Sequence, residues 1–157
     1  MAEPLTTIDR GAPTDRAAAT DRAALYRQVL DLYARQMQAV DGGDLASYGV
    51  TFAPDAVFRS NALPGPVRGR DTICASTRRL AAFRAARGVT RRHLMTNLTV
   101  DPRDDGTLAT RSYVLLVETS LGEPAELYLS TVCEDELVPD GDGWLVARRH
   151  VHRDDLP

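Results

Sequence analysis

RRHLMTNLTVDPRDDGTLATRSYVLLVETSLGEPAELYLSTVCEDELVPDGDGWLVARRHVHR, residues 91–153, decides the fold. It divides into apolar, β-branched runs separated by PRDDG, LGEP and PDGDG, each rich in the Gly, Pro and Asp that turns demand. Long strands joined in succession by such tight turns form an antiparallel meander. Residues along each strand sort by parity onto two faces.

Upstream the period changes. Leu25, Tyr26, Val29, Leu30, Tyr33, Met37 and Val40 recur at three- and four-residue steps, the apolar stripe of a helix of about five turns. Thr20 or Asp21 can cap its start, and Asp41-Gly42-Gly43-Asp44 ends it. Asp44 can cap a short second helix, LASYGVTF. A strand, AVFRSN, follows, and the loop ALPGPVRGR is expected to be irregular because of its prolines and glycines. Asp71 is the expected N-cap of a third helix that Gly88 terminates. Residues 1–20 lack a sustained apolar period and read as a flexible arm before a domain over 21–157. Helices first and a meander afterwards define an α+β fold with the helices segregated to one face of the sheet. Three helices across a curved antiparallel sheet leave a cone open at one end, a natural small-molecule pocket.

Composition removes several functions. All nineteen basic residues are arginine, so Schiff-base catalysis and a P-loop lysine are excluded. No GxGxxG is present, and a net charge of −3 argues against a nucleic-acid partner. No apolar run is long enough to span a membrane, and the N-terminus lacks a signal-peptide pattern, so a cytoplasmic location is expected. Cys74 and Cys133 lie far apart and read as free thiols.

A helix ending in DGGDL, then FAPDAVF, GRD opening a helix, RHLMTN and GDGWLVARRHV resemble, in that order, the nuclear transport factor 2-like superfamily. Within it the chain is similar to the SnoaL-like branch, with its scytalone dehydratase and polyketide cyclases. The resemblance implies a cone-shaped α+β barrel, cofactor-independent and metal-free chemistry on a hydrophobic substrate of secondary metabolism, and a homodimer. It places the dehydratases' histidine at His93 and their helix-one aspartate at Gln38. The isomerases' tyrosine, base and buried acid fall at Gln36, Ser60 and near Cys133, so that activity is not expected.

The remaining candidates follow from strand parity. His93, Met95, Asn97 and Thr99 share a face that the resemblance turns inward. Imidazole exchanges protons near neutrality, so His93 is the candidate general acid/base, or else a core histidine bonded to a carbonyl. Asn97 and Tyr113 could polarise a substrate oxygen, although strand tyrosines also serve as packing residues. Asp135 falls on an apolar face, where it is either a tuned base or the partner of an arginine such as Arg149, the favoured reading. Tyr33, Gln38, Arg59 and His150 complete the expected pocket, with Arg59 able to recognise a phenolate or carboxylate. His150 and His152 have ligand spacing, with His93 a conceivable third, but no supporting carboxylate or cysteine stands beside them. Val114, Leu116, Tyr128 and Val132 are expected on the outer face, available for pairing of two copies. The expected activity is a dehydratase or cyclase acting on a polyketide-like or aromatic ketone. A non-catalytic binding or assembly subunit is the alternative, supported by the missing carboxylates at Gln38 and Ser60.

Overall fold

The computed structural model describes the backbone of residues 13–157 and the side chains of residues 21–157. The elements are α1 (Pro13–Gly42), α2 (Leu45–Gly49), β1 (Phe52–Ser60), β2 (Val67–Arg68), α3 (Arg70–Ala85), β3 (Val89–Pro102), β4 (Leu108–Ser120), β5 (Glu126–Asp140) and β6 (Gly143–Arg153). The expected arm over residues 1–20 lies outside the described residues as far as residue 12. Helix α1 begins at Pro13, so neither Thr20 nor Asp21 caps it.

The six strands form one curved, open sheet in the order β2-β1-β6-β5-β4-β3. From β3 to β6 every neighbouring pair is antiparallel, as the turns require. Strand β1 pairs in parallel with β6, so the sheet is mixed rather than purely antiparallel. That crossover comes from the helices and meander standing between β1 and β6 in the chain. The loop read as irregular contributes β2, which pairs with Val57 and Phe58 of β1. Gly69, at φ 84, takes the N-cap position of α3 that the sequence assigns to Asp71.

The α1 stripe buries Val29, Tyr33, Met37 and Val40, while Tyr26 and Leu30 stay exposed. Against it pack Phe52, Ala56, Leu108, Leu137 and Val146 from the sheet. Tyr48 of α2 meets Phe52 edge to face with centroids 5.1 Å apart. Gly49 lets α3 approach closely, since a Cβ there would lie 2.8 Å from Cys74 Sγ. Substituting alanine would require the Cys74 side chain to move aside.

Two bulges re-aim side chains. Between Thr96 and Thr99 the β3–β4 register shifts, and Asn97 adopts φ 54. Between Glu136 and Leu137 the β5–β6 register shifts, placing the unpaired Ala147 between Val146 and Arg148. Each extra residue switches the inward face of the strand beyond it.

Candidate active site

Inside the cone lies a cavity of about 290 Å³. Met37, Phe58, Met95, Val114, Leu116 and Leu129 are among its apolar walls, and His93 and Thr131 among its polar ones. This is the small end of the range for ligand cavities. Val114 and Leu116, expected on the outer face, are buried and line it.

His93 is the one sequence candidate for catalysis that the fold delivers to the cavity. Asp41, the last α1 residue before Gly42-Gly43, holds it. The His93 backbone N–H donates to Asp41 Oδ2 at 2.9 Å, and the ring Nδ1 stands 2.6 Å from Oδ1. A carboxylate can only accept, so Nδ1 carries a proton, and in the neutral ring the lone pair lies on Nε2. Among the described residues Nε2 has no protein hydrogen-bond partner. The pair is sheltered, with side chains 21% and 9% exposed. A carboxylate locking the distal nitrogen of an imidazole is the arrangement of an oriented general base.

Asp41 is thus the supporting carboxylate that the sequence reading places at Gln38 and finds missing. Gln38 is exposed and contributes nothing to the cavity. The signal was the first residue of the DGGD run, absorbed there into a helix stop. Reading it as a ligand of His93 needs the α1–β3 contact, which spans fifty-two positions.

Other expectations are corrected. Asn97 is exposed at its bulge, where its side-chain oxygen accepts from Thr96 Oγ1. Tyr113 is 44% exposed on the outer face with Arg111 over its ring, so it cannot polarise an oxygen inside the cone. Arg59 is exposed because its neighbours Phe58 and Ser60 take the inward positions. His150 and His152 are exposed because the Ala147 bulge turns Arg149, Val151 and Arg153 inward instead. The three histidines therefore cannot converge, and no group of three or more metal-ligating side chains gathers among the described residues.

Asp135 is the ion pair. Arg149 Nε donates to Oδ1 at 2.9 Å and the guanidinium to Oδ2 at 2.6 Å. Tyr33 also donates to Oδ2, at 2.7 Å, and its oxygen lies 2.6 Å from Thr110 Oγ1. Every lone pair that would serve a base is engaged, so Asp135 is structural rather than catalytic. Tyr33 belongs to this network beneath the cavity and not to its lining. Burial, and then the Asp135 charge, push the Tyr33 phenol and the Cys133 thiol well above their ordinary pKa values. Ser60 and Cys133, the positions matched to the isomerases' base and acid, both line the cavity, but neither is a carboxylate.

A curved sheet cradling helices around a pocket is the cystatin-like fold of nuclear transport factor 2-like proteins. The chain belongs to the family of the SnoaL-like domain, whose model matches residues 21–150. ActVI-ORFA from Streptomyces coelicolor is 31% identical, with a TM-score of 0.79 over 86% of this chain and 98% of its own. A protein of Catenulispora acidiphila, solved in complex with S-DNPA, is 37% identical, with a TM-score of 0.71 over 85% of this chain and 96% of its own. An NTF2-like protein of Novosphingobium aromaticivorans with a cystatin-like fold shares 18% identity and a TM-score of 0.76, over 93% of this chain and 92% of its own. No curated protein matches the chain significantly. No helix among the described residues is long and apolar enough to cross a membrane.

Proposed function

We propose that this protein is an acid/base enzyme of the dehydratase or cyclase type, acting without a cofactor on a hydrophobic ketone of secondary metabolism. One observation carries the reading: His93 keeps Nδ1 on Asp41 and leaves Nε2 free in a sheltered, mostly apolar cavity. Nε2 takes a proton from the carbon α to the substrate carbonyl, and Asp41 offsets the imidazolium charge that forms. In a dehydration the electron pair of that C–H bond becomes the new C=C bond. The β-hydroxyl leaves as water with the proton the imidazolium returns. In a cyclisation the same carbanion attacks a second carbonyl, and the imidazolium protonates the resulting alkoxide. Apolar walls shield the carbanion from solvent and fold the substrate rings.

A relative of known structure binds a small molecule, which supports the pocket reading. Asp41 stands in for one of the two missing carboxylates on which the binding-subunit alternative rested, the one matched to Gln38, and leaves the other, at Ser60, unreplaced. Self-association through the outer sheet face belongs to the same proposal, with Leu94 and Tyr113 exposed there, and sedimentation velocity tests it.

The decisive experiment incubates wild type and His93→Ala with polyketide-derived aromatic β-hydroxyketones, followed by mass spectrometry. Loss of one water, or a new isomer, is expected with wild type only. Equal turnover by both overturns the mechanism, and unchanged compounds co-purifying with both support a binding subunit instead.

A further inference from the structure

The cavity is lined by four arginines, Arg84, Arg91, Arg149 and Arg153, and by no aspartate or glutamate. Three of those guanidinium groups have a carboxylate of their own. Arg91 is bound by Glu118, Arg149 by Asp135 at 2.6 Å and Arg153 by Asp155 at 2.6 Å. Among the described residues Arg84 has no carboxylate within ion-pair distance and donates no side-chain hydrogen bond.

Its position is specific. Arg84 lies in the last turn of α3, where the helix dipole favours a cation. There it lines both the cavity and the adjoining groove that Asp41, Gly42 and Gly43 border. Burial, and then the neighbouring Arg91 charge, work against its protonated form, and outweigh the Glu118 and Asp41 carboxylates, which favour it without bonding to it. A partly buried guanidinium beside a second cation and without a bound carboxylate is a site waiting for an anion.

From this we infer that Arg84 is the anion-recognition residue of the pocket, selecting hydrophobic substrates that carry a carboxylate or phenolate oxygen. The inference rests on the proposed function for the placing of substrate in this cavity. The four arginines give it chemical content. A carboxylate entering the cone meets no acidic lining residue and one cation that need not break an existing ion pair to bind it. The apolar walls then receive the rings, and the oxygen on Arg84 fixes which carbon faces His93 Nε2. Arg84 is a specificity residue and does not transfer a proton.

The test uses two probes of one skeleton, 2-naphthoate and the neutral 2-naphthamide, titrated calorimetrically into the full chain at low and moderate salt. Wild type is expected to prefer the acid by about ten-fold or more, as a charge-assisted hydrogen bond gives. Salt should weaken that preference. In Arg84→Gln the acid-to-amide ratio falls towards one. Arg79→Gln, an exposed arginine of the same helix, keeps the wild-type ratio and controls for net charge. Near-ultraviolet circular dichroism confirms that each variant is folded. Equal affinity for both probes in wild type, retention of the preference in folded Arg84→Gln, or binding of neither probe overturns the inference. Turnover that depends on His93 would survive the first two outcomes, so failure here is distinguishable from failure of the proposed activity.

Discussion

Replacing Asp41 with asparagine keeps its size and removes one of its two acceptor oxygens. In the native pair one oxygen takes the His93 backbone N–H at 2.9 Å and the other faces Nδ1 at 2.6 Å. An asparagine whose oxygen keeps the backbone N–H must turn its NH2 towards Nδ1. Nδ1 then has to accept, and the ring proton moves to Nε2, the nitrogen that should act as base. The fold loses little. Exchanging a charge-assisted hydrogen bond for a neutral one costs about 1 kcal/mol, a fall in Tm of about 2–4 °C for a domain of this size. Activity should fall much further, by about 10²–10⁴-fold, the usual contribution of a positioned general base. Long-range proton–nitrogen NMR on the imidazole, at a pH where the ring is neutral, reads the tautomer without a substrate. The Nδ1–H form is expected in wild type and the Nε2–H form in Asp41→Asn. The same tautomer in both proteins, or full turnover in Asp41→Asn alongside an inactive His93→Ala, would refute the reasoning.

Arg149→Met should destabilise the protein by about 3–5 kcal/mol in urea unfolding, because it strands the Asp135 carboxylate in the core. Adding Asp135→Leu should recover most of that loss, and no recovery would show that the pair's worth lies elsewhere. Stability should also fall in alkali. Tyr33 and Cys133 have folded-state pKa values raised above their ordinary 10.0 and 9.0, so the folded chain holds protons that the unfolded chain releases. Their contribution is whole below about pH 9 and then declines, by about 1.4 kcal/mol per pH unit per group once each ionises in the unfolded chain. Tyr33→Phe should flatten that alkaline slope by one group's share, and an unchanged slope would contradict the assignment. Tyr113→Phe should leave turnover intact and stability within about 0.5 kcal/mol, since its hydroxyl sits on the outer face. A large loss of activity there would place the tyrosine back in the reaction.

How much the sequence disclosed depended on the range of the forces involved. The meander over residues 91–153 was legible because alternation and turn chemistry are local, and so was the buried stripe of Val29, Tyr33, Met37 and Val40. On β5 parity alone put Thr131, Cys133 and Asp135 on the inward face. On β3 and β6 it failed beyond a single residue each. A bulge at Asn97 and another at Ala147 reverse the alternation, and neither leaves a clear mark in one sequence. Hence Asn97 and His150 were expected inside and lie outside, while Arg149 and Arg153 are the residues that turn inward. The choice for β4 had a different cause. Both of its faces carry apolar residues, so composition could not say whether Tyr113 or Val114 meets the core, and packing against the helices decided it.

The sequence by itself therefore determined the family, the order of elements apart from the short β2, and His93 as the acid/base candidate, because local pattern and motif order suffice for these. Tertiary structure alone decided that Asp41 is the carboxylate behind His93 and that Arg84 stands without an ion pair in the cavity, while it bore out the expected pairing of Asp135 with Arg149. The Asp41–His93 pairing joins groups fifty-two positions apart in the chain. Such contacts are set by how the sheet curves around the helices, a property no short window of residues encodes.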